Sequence, residues 1–134
     1  MTKKHLAALA ATVLLAISGV AAGGAQAAPF EPALSLSPAS QQNAVRKAQQ
    51  YLDYTAFSRQ GLITQLVDAE HFSTDDATYA VDSLNVDWNE QAAKKAKQYL
   101  NYTAFSHDGL INQLIEAEKF TPSQAAYGVS AVGL

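Results

Sequence analysis

An all-α fold of two tandem three-helix modules follows from three features of the sequence. The text from Lys47 to Phe72, KAQQYLDYTAFSRQGLITQLVDAEHF, returns 48 residues later as KAKQYLNYTAFSHDGLINQLIEAEKF. Of the 41 positions from Ala44 to Leu84, about 22 recur unchanged, far more than composition produces, so the chain holds two copies of one unit. Within each copy the apolar residues fall three and four apart, as on one face of a helix, and no stretch alternates as a strand would.

The first helix is expected over 39–54, where Ala44, Ala48, Tyr51, Leu52 and Thr55 share one face. Thr55-Ala56-Phe57-Ser58 is a connector, and Ser58 is a good N-cap whose hydroxyl takes a first-turn N–H, with Phe57 and Leu62 at the staple positions. A second helix then runs over 58–70 on Leu62, Ile63, Leu66 and Val67. The third, over 73–84, opens on Ser73 with Asp76 three residues on and carries Ala77, Ala80, Val81 and Leu84. Asn85-Val86 is the only connection before the text repeats. Asp87 and Glu90 cap a fourth helix over 87–102, and Ser106, with Phe105 and Leu110 as its staple, starts a fifth over 106–118. Thr121, with Pro122 at the first helical position and Gln124 three on, starts a sixth over 121–132. The helical modules therefore span 39–84 and 87–132.

The N-terminus sets the compartment. Met1 to His5 is a short basic start, and Leu6 to Val20 is an apolar run too short for a comfortable membrane span. Residues 1–27 read as a signal peptide, with Ala25-Gln26-Ala27 as a small-residue cleavage site between Ala27 and Ala28. An uncleaved leader acting as an anchor is the alternative, and the only route to a membrane. Residues 28–38, with prolines and serines from Glu31 to Pro38, read as a flexible lead-in. The sequence contains no cysteine, so neither disulfides nor lipid attachment through a cysteine is possible, and stability comes from packing alone.

A unit of about 45 residues is near the lower limit for independent folding without disulfides or metals, so the modules are expected to pack on each other. Trp88 is the expected wedge. It lies beside the short connection, stands where Ser40 stands in the first copy, and reads as a buried aromatic over the seam between modules.

Charge and chemistry narrow the function. Loss of Lys3 and Lys4 with the leader leaves seven Lys plus Arg against twelve Asp plus Glu, a net charge of −5. That balance disfavours a phosphate-backbone partner. The second and third helices resemble a helix-turn-helix, which makes nucleic-acid binding a rival reading. However, the third helix offers Asp75, Asp76, Thr78 and Asp82 where a recognition helix needs Arg, Lys, Asn or Gln. No catalytic set, cofactor site, metal site or small-molecule substrate is indicated. His71 aligns with Lys119 and His107 with Arg59, so neither histidine repeats. The sketch of Glu70, His71, Asp75 and Asp76 as metal ligands becomes Glu118, Lys119, Ser123 and Gln124 in the second copy. Ser58 and Ser106 stand beside no base held in both copies, and capping accounts for them.

The polar residues held in both copies are Lys47 with Lys95, Gln50 with Gln98, Gln65 with Gln113, and Glu70 with Glu118. A carboxylate near a helix C-terminus opposes the macrodipole. Glu70 and Glu118 are therefore expected to have a structural partner, either a first-turn N–H of the third helix or a tyrosine hydroxyl. The repeated aromatics, Tyr79 and Tyr127 included, read mainly as core. Tyr54 and Tyr102, off the main stripe, are the aromatic candidates for a partner surface. Asp68, Asp75, Asp76 and Asp82 are the candidate steering charges.

These repeated segments, joined through VDWNEQA at Val86 to Ala92, resemble the Ltp-type host cell surface-exposed lipoproteins over nearly the whole chain after the leader. That family is encoded by prophages and bacteria, is held outside the membrane by a lipid, and carries tandem helix-turn-helix-like repeats. The resemblance implies superinfection exclusion, in which the repeat domain obstructs phage DNA injection by engaging the tape-measure protein. The chain departs from the pattern at Ala25-Gln26-Ala27-Ala28, where the lipobox cysteine would stand, which puts conventional lipid anchoring in doubt. An exported, non-catalytic protein-binding factor, secreted or at the cell surface, is the leading expectation. A secreted module that binds the cell wall or another surface component is the alternative.

Overall fold

The computed structural model describes residues 38–134, and the leader with its Ala27–Ala28 cleavage site lies outside the described residues. Among them there are six helices and no strand: α1 (Pro38–Tyr54), α2 (Arg59–Asp68), α3 (Thr74–Ser83), α4 (Trp88–Tyr102), α5 (His107–Asn112) and α6 (Pro122–Ala131).

The capping chemistry places the starts. Ser58, Ser73 and Ser106 each accept a first-turn N–H, from Gly61, Asp76 and Gly109 respectively. Thr121 and Gln124 form a reciprocal capping box. Asp87 opens α4 by accepting from Asn89 and Glu90. The expected ranges had counted these caps as helix, so most observed helices begin one residue later.

The second helix of each module stops by the same device. His71 and Lys119 sit in the left-handed region at φ 63° and 68°. The Phe72 and Phe120 N–H groups reach back to the carbonyls of Leu66 and Leu114 at 3.0 Å, and His71 and Lys119 donate to Val67 and Ile115. This is the 6→1 and 5→2 pairing that closes a helix with an apolar residue folded back over it. The positions that differ between copies as histidine and lysine are therefore backbone corners, with exposed side chains.

The fifth helix is not continuous over 106–118. It ends at Asn112 and continues as a π turn over Gln113–Ala117, whereas the first copy stays α-helical to Asp68. The apolar spacing of the two copies is the same here, so periodicity did not distinguish them.

Each module closes its own core. In the first, Ala44, Ala48 and Tyr51 of α1 meet Leu62, Ile63 and Leu66 of α2 and Ala77, Ala80 and Val81 of α3. In the second, Ala92, Ala96 and Tyr99 meet Leu110, Leu114, Phe120, Ala125 and Val129. All extensive helix-to-helix contact stays within a module, chiefly α1 with α3 and α4 with α6. Trp88 crosses over. Although it begins α4, its side chain packs against the first module's core, half-buried rather than fully covered.

The crossing of α4 and α6 is tight at one point. A Cβ on Gly128 would lie 2.7 Å from the carbonyl carbon and oxygen of Ala92, where the first module has Ala80. Gly128→Ala is thus expected to destabilise the protein by about 1–2 kcal/mol, backbone overpacking exceeding the helix-propensity gain of alanine. Trp88→Ala should cost about 2 kcal/mol or more, and chemical denaturation followed by circular dichroism checks both.

Candidate interaction surface

Three of the four repeated polar residues converge on one buried tyrosine in each module. Tyr51 is 1% exposed and donates its hydroxyl to Glu70 at 2.5 Å. Gln65 donates to the same hydroxyl oxygen at 3.2 Å, and Lys47 pairs with Glu70 at 3.6 Å. In the second module Tyr99 donates to Glu118, Gln113 donates to Tyr99 at 3.3 Å, and Lys95 pairs with Glu118 at 3.7 Å. Of the two partners open to these glutamates, the tyrosine hydroxyl is the one used. It outweighs the adverse helix dipole because both ends of the carboxylate are occupied. Each tyrosine also meets a phenylalanine edge-on at 5.7 Å, Tyr51 with Phe57 and Tyr99 with Phe105.

Burial distinguishes the copies. Lys47 and Glu70 keep 19% and 20% of their side-chain surface, against 5% and 9% for Lys95 and Glu118. The cover over the second pair is the first module's connector. The Phe57 N–H donates to Gln91 Oε1 at 3.0 Å, the Ser58 hydroxyl donates to the Glu118 carbonyl, and Thr55 Oγ1 donates to Gln98 at 3.2 Å. The Phe57 ring lies 5.9 Å from the Lys95 ammonium. Ala56, Phe57 and Ser58 are buried as a result, while Ala104 and Ser106 are exposed. The seam is therefore made by Thr55–Ser58 and by Trp88. Ser58 is both N-cap and seam donor, whereas Ser106 shows only the cap.

Burial acts on the titrations here. It pushes the Tyr51 hydroxyl up to about 12, with help from its bond to Glu70, and raises Tyr99 further. Burial also pushes Lys95 below the ordinary lysine value, with Glu118 pulling it part of the way back.

The residues expected to form a partner surface differ in exposure and pairing. Asp76 is 1% exposed and is not a steering charge. Its carboxylate accepts from the Ser40 hydroxyl on α1. It sits where Gln124 completes a capping box, one methylene too short to reach back to the cap N–H. Asp82 is exposed but is held in a two-point pair by Arg59, at 2.7 and 2.9 Å, which lowers the carboxyl and raises the guanidinium. Its charge is thereby largely offset. Asp68 and Asp75 face solvent, as do Tyr54 at 68% and Tyr102 at 61%.

Tyr79 and Tyr127, expected in the core, are 51% and 52% exposed. Their spacing places them at the edge of the apolar face of α3 and α6, and the small Ala77, Ala80, Ala125 and Gly128 fill the helix contact instead. Tyr79 joins Pro38, Gln41, Gln42, Val45 and Arg46 around a shallow groove of about 470 Å³. Among the described residues no three His, Asp or Glu side chains gather as a metal would require. Glu70 is taken up by Tyr51 and Lys47, and Asp76 by Ser40.

A family model described as host cell surface-exposed lipoprotein matches residues 39–84 and again 87–132. The chain belongs to that family. Membership carries an extracytoplasmic location at the cell surface and the tandem repeat. No curated protein matches the chain. Among solved structures, the family member Ltp, a superinfection exclusion protein from the Streptococcus thermophilus temperate phage TP-J34, is 38% identical. That match covers 70% of this chain and 96% of that one, with a TM-score of 0.66.

The raised tyrosines fix the sign of an alkaline effect. A hydroxyl whose titration is raised by folding contributes stability that is complete below pH 10, and that is lost as pH climbs through about 12 for Tyr51. Lys95 works the other way, its contribution complete above 10.5 and lost as pH falls. Denaturant midpoints should therefore drop steeply above pH 10 in the native chain. A Tyr51→Phe, Tyr99→Phe double variant should lose that steep drop, and tyrosinate absorbance should lose its latest phase.

Proposed function

We propose that this chain is a superinfection-exclusion factor: an exported, non-catalytic protein that waits at the cell surface and obstructs DNA injection by an incoming phage, engaging its tape-measure protein. The observation carrying this reading is the 38% identity to a superinfection exclusion protein across 96% of that protein's chain. The geometry supports it, because three of the four repeated polar side chains in each module are spent on the cluster around that module's own tyrosine. What remains outside is suited to contact: exposed tyrosines with large, stiff surfaces, and the carboxylates Asp68 and Asp75. An acidic exterior favours a basic partner segment and speeds encounter with it.

Retention is the point where this chain differs from a lipid-anchored exclusion factor, because the sequence contains no cysteine. Exclusion needs a high local concentration at the entry site. An apolar leader kept as an anchor, over Leu6 to Val20, would supply it.

Expression of the full chain in a sensitive host should reduce plaque formation by an injecting phage at least tenfold while adsorption is unchanged. A Tyr54→Ala, Tyr102→Ala variant that folds normally should protect less. Undiminished phage DNA entry in expressing cells would sink the reading, and recovery of the chain on purified wall material alone would favour a wall-binding module instead.

A further inference from the structure

The contact that joins the two modules has two halves, a connector that docks and a face that receives it, and each module carries both. Inside the chain one connector and one face are used. Thr55–Ser58 of the first module docks on Gln91, Lys95 and Gln98 of α4 and on the Glu118 carbonyl. The second connector, Thr103-Ala104-Phe105-Ser106, is identical in sequence to the first. Its phenylalanine keeps the same edge-on geometry to the same tyrosine, at 5.7 Å and 81° against 5.7 Å and 82°. Thr103, Ala104 and Ser106 are nonetheless exposed, where Ala56 and Ser58 are 3% and 1% exposed. The first module's receiving face repeats Lys95, Gln98 and Glu118 as Lys47, Gln50 and Glu70. Asn43 stands in place of Gln91, still an amide carbonyl but one methylene shorter. Asn43 and Gln50 face solvent, with Asn43 Oδ1 already accepting one bond from Arg46 at 2.5 Å, and the Lys47–Glu70 pair keeps the surface that its counterpart loses to the connector.

We propose that copies of this chain associate head to tail, the Thr103–Ser106 connector of one copy docking on the Asn43, Lys47 and Gln50 face and the Glu70 carbonyl of the next. The occupant is a second copy because the complementary surface is printed twice in the same sequence and its geometry is already realised once within the chain. Such a contact joins unlike surfaces, so it does not close on itself as a two-fold dimer would. Repetition gives a row of modules continuing the intramolecular arrangement, which lengthens unless its rotation brings it back on itself. Between chains the contact lacks the two-residue Asn85-Val86 link, which keeps the intramolecular partners at a high effective concentration. It is therefore weak in dilute solution and populated where copies are crowded, as on a membrane face. The inference rests on the seam and is independent of the exclusion reading.

The absence of cysteine makes the test direct. Full-length chains carrying Thr103→Cys and Gln50→Cys, the counterparts of Thr55 and Gln98, are mixed at high concentration under mild oxidation. The Thr103→Cys with Gln50→Cys heterodimer should form at least tenfold faster than pairs in which Ser130→Cys, elsewhere on the surface, replaces either one. A chain carrying both substitutions should give a ladder of multimers. Adding Ala104→Arg, at an exposed position, should abolish the ladder and leave the thermal midpoint unchanged. Equal rates for all pairs, a dominant Thr103→Cys homodimer, or a ladder unaffected by Ala104→Arg would each overturn the proposal.

Discussion

The structure turns on the docking of a four-residue connector. Thr55–Ser58 carries the chain from the first helix to the second, and its backbone and hydroxyls are satisfied by the other module: the Phe57 N–H by Gln91, the Ser58 hydroxyl by the Glu118 carbonyl. A connector would ordinarily lie in water, because buried backbone groups without partners are costly. Here the partners are supplied, so Ala56 and Phe57 can be buried and contribute apolar surface that a module of this size lacks. Trp88 does the same in the opposite direction, reaching from the second module onto the first module's core.

That contact also changes the chemistry of what it covers. Two copies of a Tyr–Glu–Lys–Gln cluster begin with the same residues and nearly the same distances, yet only the second is sealed. Lys95 lies beside the Phe57 ring and is pushed down by burial, and Tyr99 is raised further than Tyr51. A buried charged pair is tolerated when its remaining hydrogen-bonding capacity is met, and each glutamate has both a tyrosine donor and an ammonium. The repeated polar residues are thus architectural. Around each tyrosine the Lys, Gln and Glu hold a helix end to the first helix of the module, whereas Gln98 serves the seam and its counterpart Gln50 is exposed.

The boundaries of the helices were legible because each is written locally. Ser58, Ser106 and Thr121 cap as their side-chain chemistry requires, and the A-x-x-x-A spacing of α1 and α4 marks the packed face. Misreadings arose where two locally equivalent options differ only in what lies opposite. Asp76 reads as a first-turn surface acid until Ser40 of α1 is placed against it. Tyr79 and Tyr127 read as core until the close approach of small residues on α1 with α3 and α4 with α6 leaves no room for a ring. The break of the fifth helix at Asn112 has no counterpart in the apolar spacing, which both copies share.

By itself the sequence determined the duplication, the all-α class, the caps and the family resemblance. All are properties of residues close together in the chain, or of one copy compared with the other, and need no knowledge of how helices cross. Only the tertiary structure decided which copy of an identical segment is buried. Thr55–Ser58 and Thr103–Ser106 are the same four letters, and what separates them is that Gln91 and the Glu118 carbonyl of the second module lie against the first segment. Burial, pairing and titration are set by neighbours that folding brings together from residues 34 to 60 positions apart, and no local pattern records them.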